Sequence, residues 1–142
     1  MAFKNYDPAR VVVTFKGILL VGLMDGTFVS AERTEDAFEM SVGVAGDVTR
    51  VRNRNRTGTV TATVMAESPV NDLLSAVAFA DEATGLGYGS LMIKDLNGTT
   101  LVAAPQAWIR KLPVTEYADT ASGREWTFDC AELQMLVGGA VV

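Results

Sequence analysis

The 142-residue sequence contains no histidine and one cysteine, Cys130. Without histidine, Ser–His and Cys–His nucleophilic arrangements are excluded, as are the usual zinc and iron ligand sets. One cysteine can form neither an intramolecular disulfide nor a thiolate cluster. Cys130 sits in an apolar strand pattern, where it reads as a buried small hydrophobe and not as a reactive thiol. Long apolar runs are also missing: VVVTFKGILLVGLM is broken by Lys16, Gly17 and Gly22, well short of a membrane span. No basic, apolar leader opens the sequence, so the expectation is a protein used without signal-peptide export. Positive charge is in deficit, with 12 Lys and Arg against 17 Asp and Glu, a net charge of -5. A free-standing nucleic-acid binder is usually basic, because phosphate neutralisation supplies most of its affinity. This balance points away from that class.

What is present is a globular composition, 49% apolar with 13 glycines and only 4 prolines. The length suits one domain over residues 1–142, large enough to fold without covalent staples. The carboxylates that remain make poor catalytic pairs. Glu35 and Asp36 are neighbours on an extended segment and point to opposite faces. Asp81 and Glu82 lie near a helix end, where solvation is the simpler reading. Glu125 and Asp129 share a strand face but have no other catalytic group beside them. GLGYG at 85–89 follows a helix and precedes a strand, the wrong order for a nucleotide loop. Asp95, Asn97 and Gly98 resemble the start of a calcium loop but lack the later ligands. Asn55-Arg56-Thr57 and Asn97-Gly98-Thr99 fit the glycosylation pattern by chance in a chain with no leader. We expect no enzyme activity, no metal and no cofactor.

Hydrophobic periodicity predicts strands at Arg10–Phe15, Ile18–Met24, Thr27–Arg33, Ala37–Val42, Val48–Asn53 and Thr57–Ala66. The period then changes. Ser68 is placed to cap a helix, Pro69 suits its first turn, and Val70, Leu73, Leu74, Val77 and Ala78 form its apolar stripe. This helix is predicted to run from Pro69 to about Ala83 and to stop at Gly85. Strands resume at Leu86–Lys94 and Leu101–Arg110, joined by an Asn97-Gly98 hairpin turn, with Pro105 implying an edge or a bulge. A last strand spans Arg124–Leu136, with Trp126, Phe128 and Cys130 on one side and Glu125, Thr127 and Asp129 on the other. Residues 138–142 form a flexible or pairing tail. Many strands and one helix give a mainly β fold, a β-sandwich or barrel with one packed α-helix.

Two ladders stand out within this pattern. Arg50, Arg52, Arg54 and Arg56 alternate with Val51, Asn53 and Asn55, so on an extended strand they share a face at steps of roughly 6.8 Å. Thr57, Thr59, Thr61 and Thr63 then alternate with Gly58, Val60, Ala62 and Val64. The arginine row has three readings: a solvated strand, a grip on phosphates, or a contact with carboxylates of another subunit. Four like charges on one face repel each other unless something answers them. The 17 acids of a second copy supply that answer, so the protein contact is favoured over phosphate.

The block from Gly46 to Ala80 resembles the tail tube proteins of contractile-tailed bacteriophages. The resemblance is carried by Gly-Asp-Val-Thr-Arg, an Asn/Arg-rich turn, the Thr-Gly-Thr-Val-Thr ladder and Ser-Pro-Val-Asn opening an amphipathic helix. Asp25-Gly26-Thr27-Phe28-Val29 fits as well, so about residues 20–80 match; the C-terminal half agrees in its β pattern. The resemblance implies a structural virion protein forming hexameric rings that stack into a conduit for the genome. The implied partners are further copies of itself, a tail sheath protein, and baseplate and tail-terminator proteins. DNA would pass without specific binding, no membrane is involved, and the tail would be assembled in the host cytoplasm. Under this reading Arg50, Arg52, Arg54 and Arg56 are subunit-interface candidates lying away from the bore. Glu125 and Asp129, or the face of Thr59, Thr61 and Thr63, are lumen candidates. The rivals are a tail terminator or baseplate ring of the same fold, and a small-ligand-binding β-barrel.

Overall fold

The computed structural model describes residues 3–139. A short 3-10 turn at Pro8–Arg10 leads into β1 (Val11–Phe15), β2 (Ile18–Leu19), β3 (Val29–Arg33), β4 (Phe38–Val42), β5 (Val48–Arg52) and β6 (Gly58–Met65). The helix α1 (Val70–Thr84) follows, then β7 (Gly89–Asp95), β8 (Leu101–Lys111), β9 (Gly123–Cys130) and β10 (Gln134–Leu136). One large antiparallel sheet runs in the order β2-β1-β7-β8-β9-β6-β3, with β10 pairing β8. β4 and β5 form a separate two-stranded sheet. The fold is thus mainly β with one helix, as expected, and its sheet does not close into a barrel.

Alternation builds the core. β6 and β9 bury every second residue, so Val60, Ala62 and Val64 face inward beside Trp126, Phe128 and Cys130. The sheet curls until Phe15 of β1 meets Phe128 of β9, with ring centroids 4.9 Å apart. The segment from Leu20 to Phe28 bridges the sheet's two ends with single hydrogen bonds. The Leu20 amide donates to the Val13 carbonyl, the Met65 amide to Gly22, and the Met24 amide to Thr63.

The helix packs Val70, Leu74 and Ala78 into this core. Gly85 adopts φ 72°, a left-handed turn that costs glycine little, and its amide caps Asp81. Two expectations for the helix need correction. Leu73 is 52% exposed, on the outer face and not in the stripe. The Ser68 hydroxyl sits 3.4 Å from the Val70 amide, while it donates a 2.8 Å bond to the Val21 carbonyl, so it ties the helix start to the bridging segment more than it caps it.

Asn71, which the helical pattern does not mark out, holds the same corner. Its Nδ2 donates to the carbonyls of Met65, Ala66 and Ser68, and its Oδ1 accepts 2.9 Å from the Nε1 of buried Trp126.

Pro105 does lie at a bulge. Between Gly89 and Leu91 the register on β8 moves from Ala107 to Ala104, so β8 carries one extra residue there. The Asn97-Gly98 turn joins β7 to β8, but Asn97 is buried and bonds the backbone of Asp7 through both side-chain atoms. The predicted last strand is two strands. At residues 131–133 the chain turns inward, burying Leu133, and β10 then pairs with β8. Of the predicted tail, Gly138 and Gly139 pair with Thr99 and Thr100, and residues 140–142 lie outside the described residues.

Candidate functional site

The outward face of the β3–β6–β9 ladder is polar from Thr59 to Thr63 and ends in Met65, opposite Gly123. Thr59 lies directly opposite Asp129, Thr61 opposite Thr127, and Thr63 opposite Glu125. On the other side Glu32 opposes Thr59 and Ser30 opposes Thr61. Directly opposed residues share a sheet face. The two alternative lumen sets of the sequence reading are therefore one surface. Alternation made each set legible, but only the pairing of β6 with β9 joins them.

Arg110 of β8 extends this surface, and the sequence reading did not single it out. Its guanidinium forms an ion pair with Asp129 at 2.7 Å and donates to the Thr59 hydroxyl at 3.3 Å. The Asp129 hydrogen bond, then its charge, holds the Arg110 pKa above its ordinary value. The pair is exposed, so its energetic weight is small, but it cancels one cation and one anion on the face. Lys111, opposite Thr127, adds a second cation. Glu32, Glu125 and Asp129 thus meet Arg110 and Lys111, a more balanced wall than carboxylates alone would give. Beneath Asp129 the face turns inward at Cys130. Burial first, and the Asp129 charge second, push that thiol up to about 11, which keeps it protonated and inert.

The arginine row is placed differently from the expectation. Only Arg50 and Arg52 lie on β5; the strand ends there, and Arg54 and Arg56 lie on an irregular segment. The cause is the intervening asparagines. The Asn53 Oδ1 accepts from the Asn55 amide at 2.9 Å, and the Asn55 Oδ1 accepts from the Thr57 amide at 3.0 Å. These two successive Asx turns compete with a strand ladder and break it. All four arginines are exposed. Arg50 is answered within the chain, its guanidinium carbon 3.6 Å from the centroid of the Phe38 ring.

β4 and β5 together form an arm. Every residue of both strands is exposed. Phe38, Met40 and Val42 oppose Arg52, Arg50 and Val48, so one face of the arm is apolar and basic. The arm continues the β3–β6 pairing outward, through the Thr34 amide to Thr57 and the Asn53 amide to Ala37.

Among the described residues no cluster of three or more acidic or cysteine side chains is arranged to hold a metal ion, and no helix is long and apolar enough to cross a membrane.

A family model described as bacteriophage PhiTE tail tube protein matches residues 20–138, well past the segment that carried the resemblance. Structural protein ORF10 of Pseudomonas phage KPP10 is 30% identical over 143 residues, covering 95% of this chain and 83% of that protein. Among solved structures, the tube-terminating cap of the anti-feeding prophage gives a TM-score of 0.66 at 13% identity, over 96% of this chain and 94% of that one. The sheath–tube complex of the extracellular contractile injection system PVC, in its extended state, gives 0.61 at 14% identity over 96% and 93%. The sheath/tube terminator of the same system gives 0.59 at 12% identity over 96% and 100%. At such identities the likeness is one of fold.

Proposed function

This chain belongs to the bacteriophage PhiTE tail tube protein family, and from that premise we propose that it forms hexameric rings that stack into the inner tube of a contractile tail. It is a structural protein of the phage tail, not an enzyme. The stacked rings form a conduit for the genome, assembled in the host cytoplasm from single-domain subunits of residues 1–142. A sheath protein surrounds the tube, and baseplate and terminator proteins close its ends. The fold likeness to a chain of a sheath–tube complex supports the sheath as a partner.

The observation that carries this reading is the continuous polar face of Thr59, Thr61, Thr63, Glu125, Thr127 and Asp129, placed on the side of the sheet away from the core. We assign it to the bore. A channel for DNA must not hold phosphates, because each added cation raises affinity for every phosphate that passes. Short hydroxyls and carboxylates meet that need, and Asp129 neutralises Arg110. Arg50, Arg52, Arg54 and Arg56, carried on the arm and the segment behind it, act in contacts between subunits. DNA passes without specific binding.

Electron microscopy of the purified protein tests this. Long tubes of uniform bore are the expected product. A second reading, a terminator ring, is favoured by the tube-terminating cap, whose TM-score of 0.66 exceeds the 0.61 of the chain from the sheath–tube complex. Rings that do not propagate would support it, and monomers alone at high concentration would overturn both.

A further inference from the structure

Of the five asparagines in the sequence, only Asn97 is followed by glycine. An Asn-Gly pair is chemically labile, because the glycine nitrogen meets no side chain of its own when it attacks the neighbouring amide carbon. Such pairs are ordinarily found in solvent-exposed turns. Asn97 lies in a turn but is only 2% exposed. What covers it is the segment leading into β1, whose residues 3–10 are themselves exposed.

The cover is a clasp. The Asn97 Nδ2 donates to the Asp7 carbonyl at 2.9 Å, and the Asp7 amide donates to the Asn97 Oδ1 at 3.4 Å. The Leu96 amide donates to the Arg10 carbonyl. Asp7 is presented by the turn at Pro8–Arg10, where its own carboxylate accepts from the Ala9 amide at 3.0 Å. The attacking nitrogen is engaged too, since the Gly98 amide donates to the Asp95 carbonyl at 3.2 Å. The clasp therefore holds both reacting groups on other partners and keeps water from the amide. Pro8 and Ala9 of the same turn wall an open groove of about 650 Å³.

We propose that Asn97 is a latent deamidation site gated by residues 3–10, and that its conversion undoes the clasp for good. When the segment lifts, the Gly98 nitrogen attacks the Asn97 Cγ and a cyclic imide closes. The Cγ–Nδ2 bond breaks, and the side-chain nitrogen leaves as ammonia, taking up the Gly98 amide proton. Solvent water then adds to either imide carbonyl and opens the ring to aspartate or isoaspartate. Neither product has an N–H to return to the Asp7 carbonyl. Each places a carboxylate in a buried position beside Asp95, whose Oδ1 accepts from the residue-97 amide at 2.9 Å. Arg10, the cation of the clasping turn, is exposed and answers that charge only through solvent. Isoaspartate also routes the main chain through the former side chain, which shifts the Leu96 and Gly98 bonds. The site acts within one copy and does not depend on how copies assemble.

Timed incubation of the full chain tests the gate, with the mass gain of the peptide carrying residue 97 as the readout. The folded chain should deamidate at least about tenfold more slowly than the same chain unfolded in urea. Asp7→Gly combined with Pro8→Gly loosens the turn without shortening the chain, and should speed the reaction about tenfold under native conditions. Equal rates in folded and unfolded parent, or no acceleration in the loosened variant, overturn the gate. Asn97→Asp tests the consequence. Hydrogen exchange at the Leu96 amide, which donates to Arg10, should quicken at least about tenfold, with the amides of β6 and β9 unchanged. Should that variant fail to fold, the deamidated fraction of aged parent, separated by its added charge, carries the same measurement. Unchanged exchange at Leu96 overturns the unclasping.

Discussion

The β6–β9 ladder and the β4–β5 arm are built from the same pattern with opposite outcomes. Both are antiparallel pairs with strict alternation. In β6 and β9 the inward set (Val60, Ala62, Val64, Trp126, Phe128) is fully enclosed, and the outward set is hydroxyl and carboxylate as far as Met65. In the arm both sets are in solvent, and the apolar set (Phe38, Met40, Val42) lies beside arginines. Alternation therefore tells which side chains share a face, but not whether anything covers it. A covered face stabilises the subunit. An uncovered apolar and basic face adds little to the subunit and is available to a partner.

Substitutions that separate the two roles test this contrast, and the largest effects belong to the body. Leu74→Ala should cost about 2–5 kcal/mol, since the side chain is fully enclosed under the helix. Leu73→Ala, one residue away on the outer face, should stay within about 0.5 kcal/mol. Urea unfolding of both variants checks the pair; equal midpoints would erase the distinction between the two helix faces.

Gly58→Ala comes next. An added Cβ would clash with the Leu133 side chain and approach the Glu32 carbonyl oxygen to 2.8 Å. Leu133 is itself enclosed, so neither neighbour can retreat cheaply. About 1–3 kcal/mol of destabilisation is expected in the same measurement. A neutral result would show that residues 131–133 can swing out without loss.

The helix could be read from residues 68–85 because its signals are local: a polar start, a 3.6-residue stripe and a glycine stop. Leu73 was misplaced because Val70, Leu74 and Ala78 already fill the contact with the sheet, leaving it on the outer face. The faces of β9 and the bulge at Pro105 were legible for the same local reason. The union of Thr59–Thr63 with Glu125–Asp129 was not, since it depends on two strands some sixty residues apart pairing in one register. The break in the arginine ladder left a trace in the sequence, Asn-Arg-Asn-Arg-Thr, whose alternate asparagines offer Asx turns as readily as a strand. What decides between those is whether a neighbouring strand pairs along the segment, and between Arg52 and Gly58 only isolated bonds, such as the Asn53 amide to Ala37, do so. The buried roles of Asn71 and Asn97 likewise depend on Trp126 and Asp7, far away in the chain.

The smallest effect on the subunit, and the sharpest on assembly, is expected at Arg52. It lies at the base of the arm, opposite Phe38, exposed and on the same face as Arg50. Arg50 spends part of its charge on the Phe38 ring, which leaves Arg52 the more available to an outside carboxylate. An exposed ion pair contributes only about 0–1 kcal/mol, so a single contact would hardly be measurable. In a stacked assembly the same contact recurs at every subunit of every ring, and its loss is multiplied. Arg52→Glu also places like charge against the neighbour's carboxylates, turning a weak attraction into a repulsion. The expected outcome is an unfolding midpoint unchanged within about 0.5 kcal/mol, together with shorter or absent tubes by microscopy. High salt should narrow the difference between variant and parent, because screening weakens attraction and repulsion alike. DNA affinity should be negligible in both at physiological salt. Tight, salt-sensitive DNA binding lost in Arg52→Glu, with tubes still forming, would instead make the arm a phosphate grip and remove it from assembly.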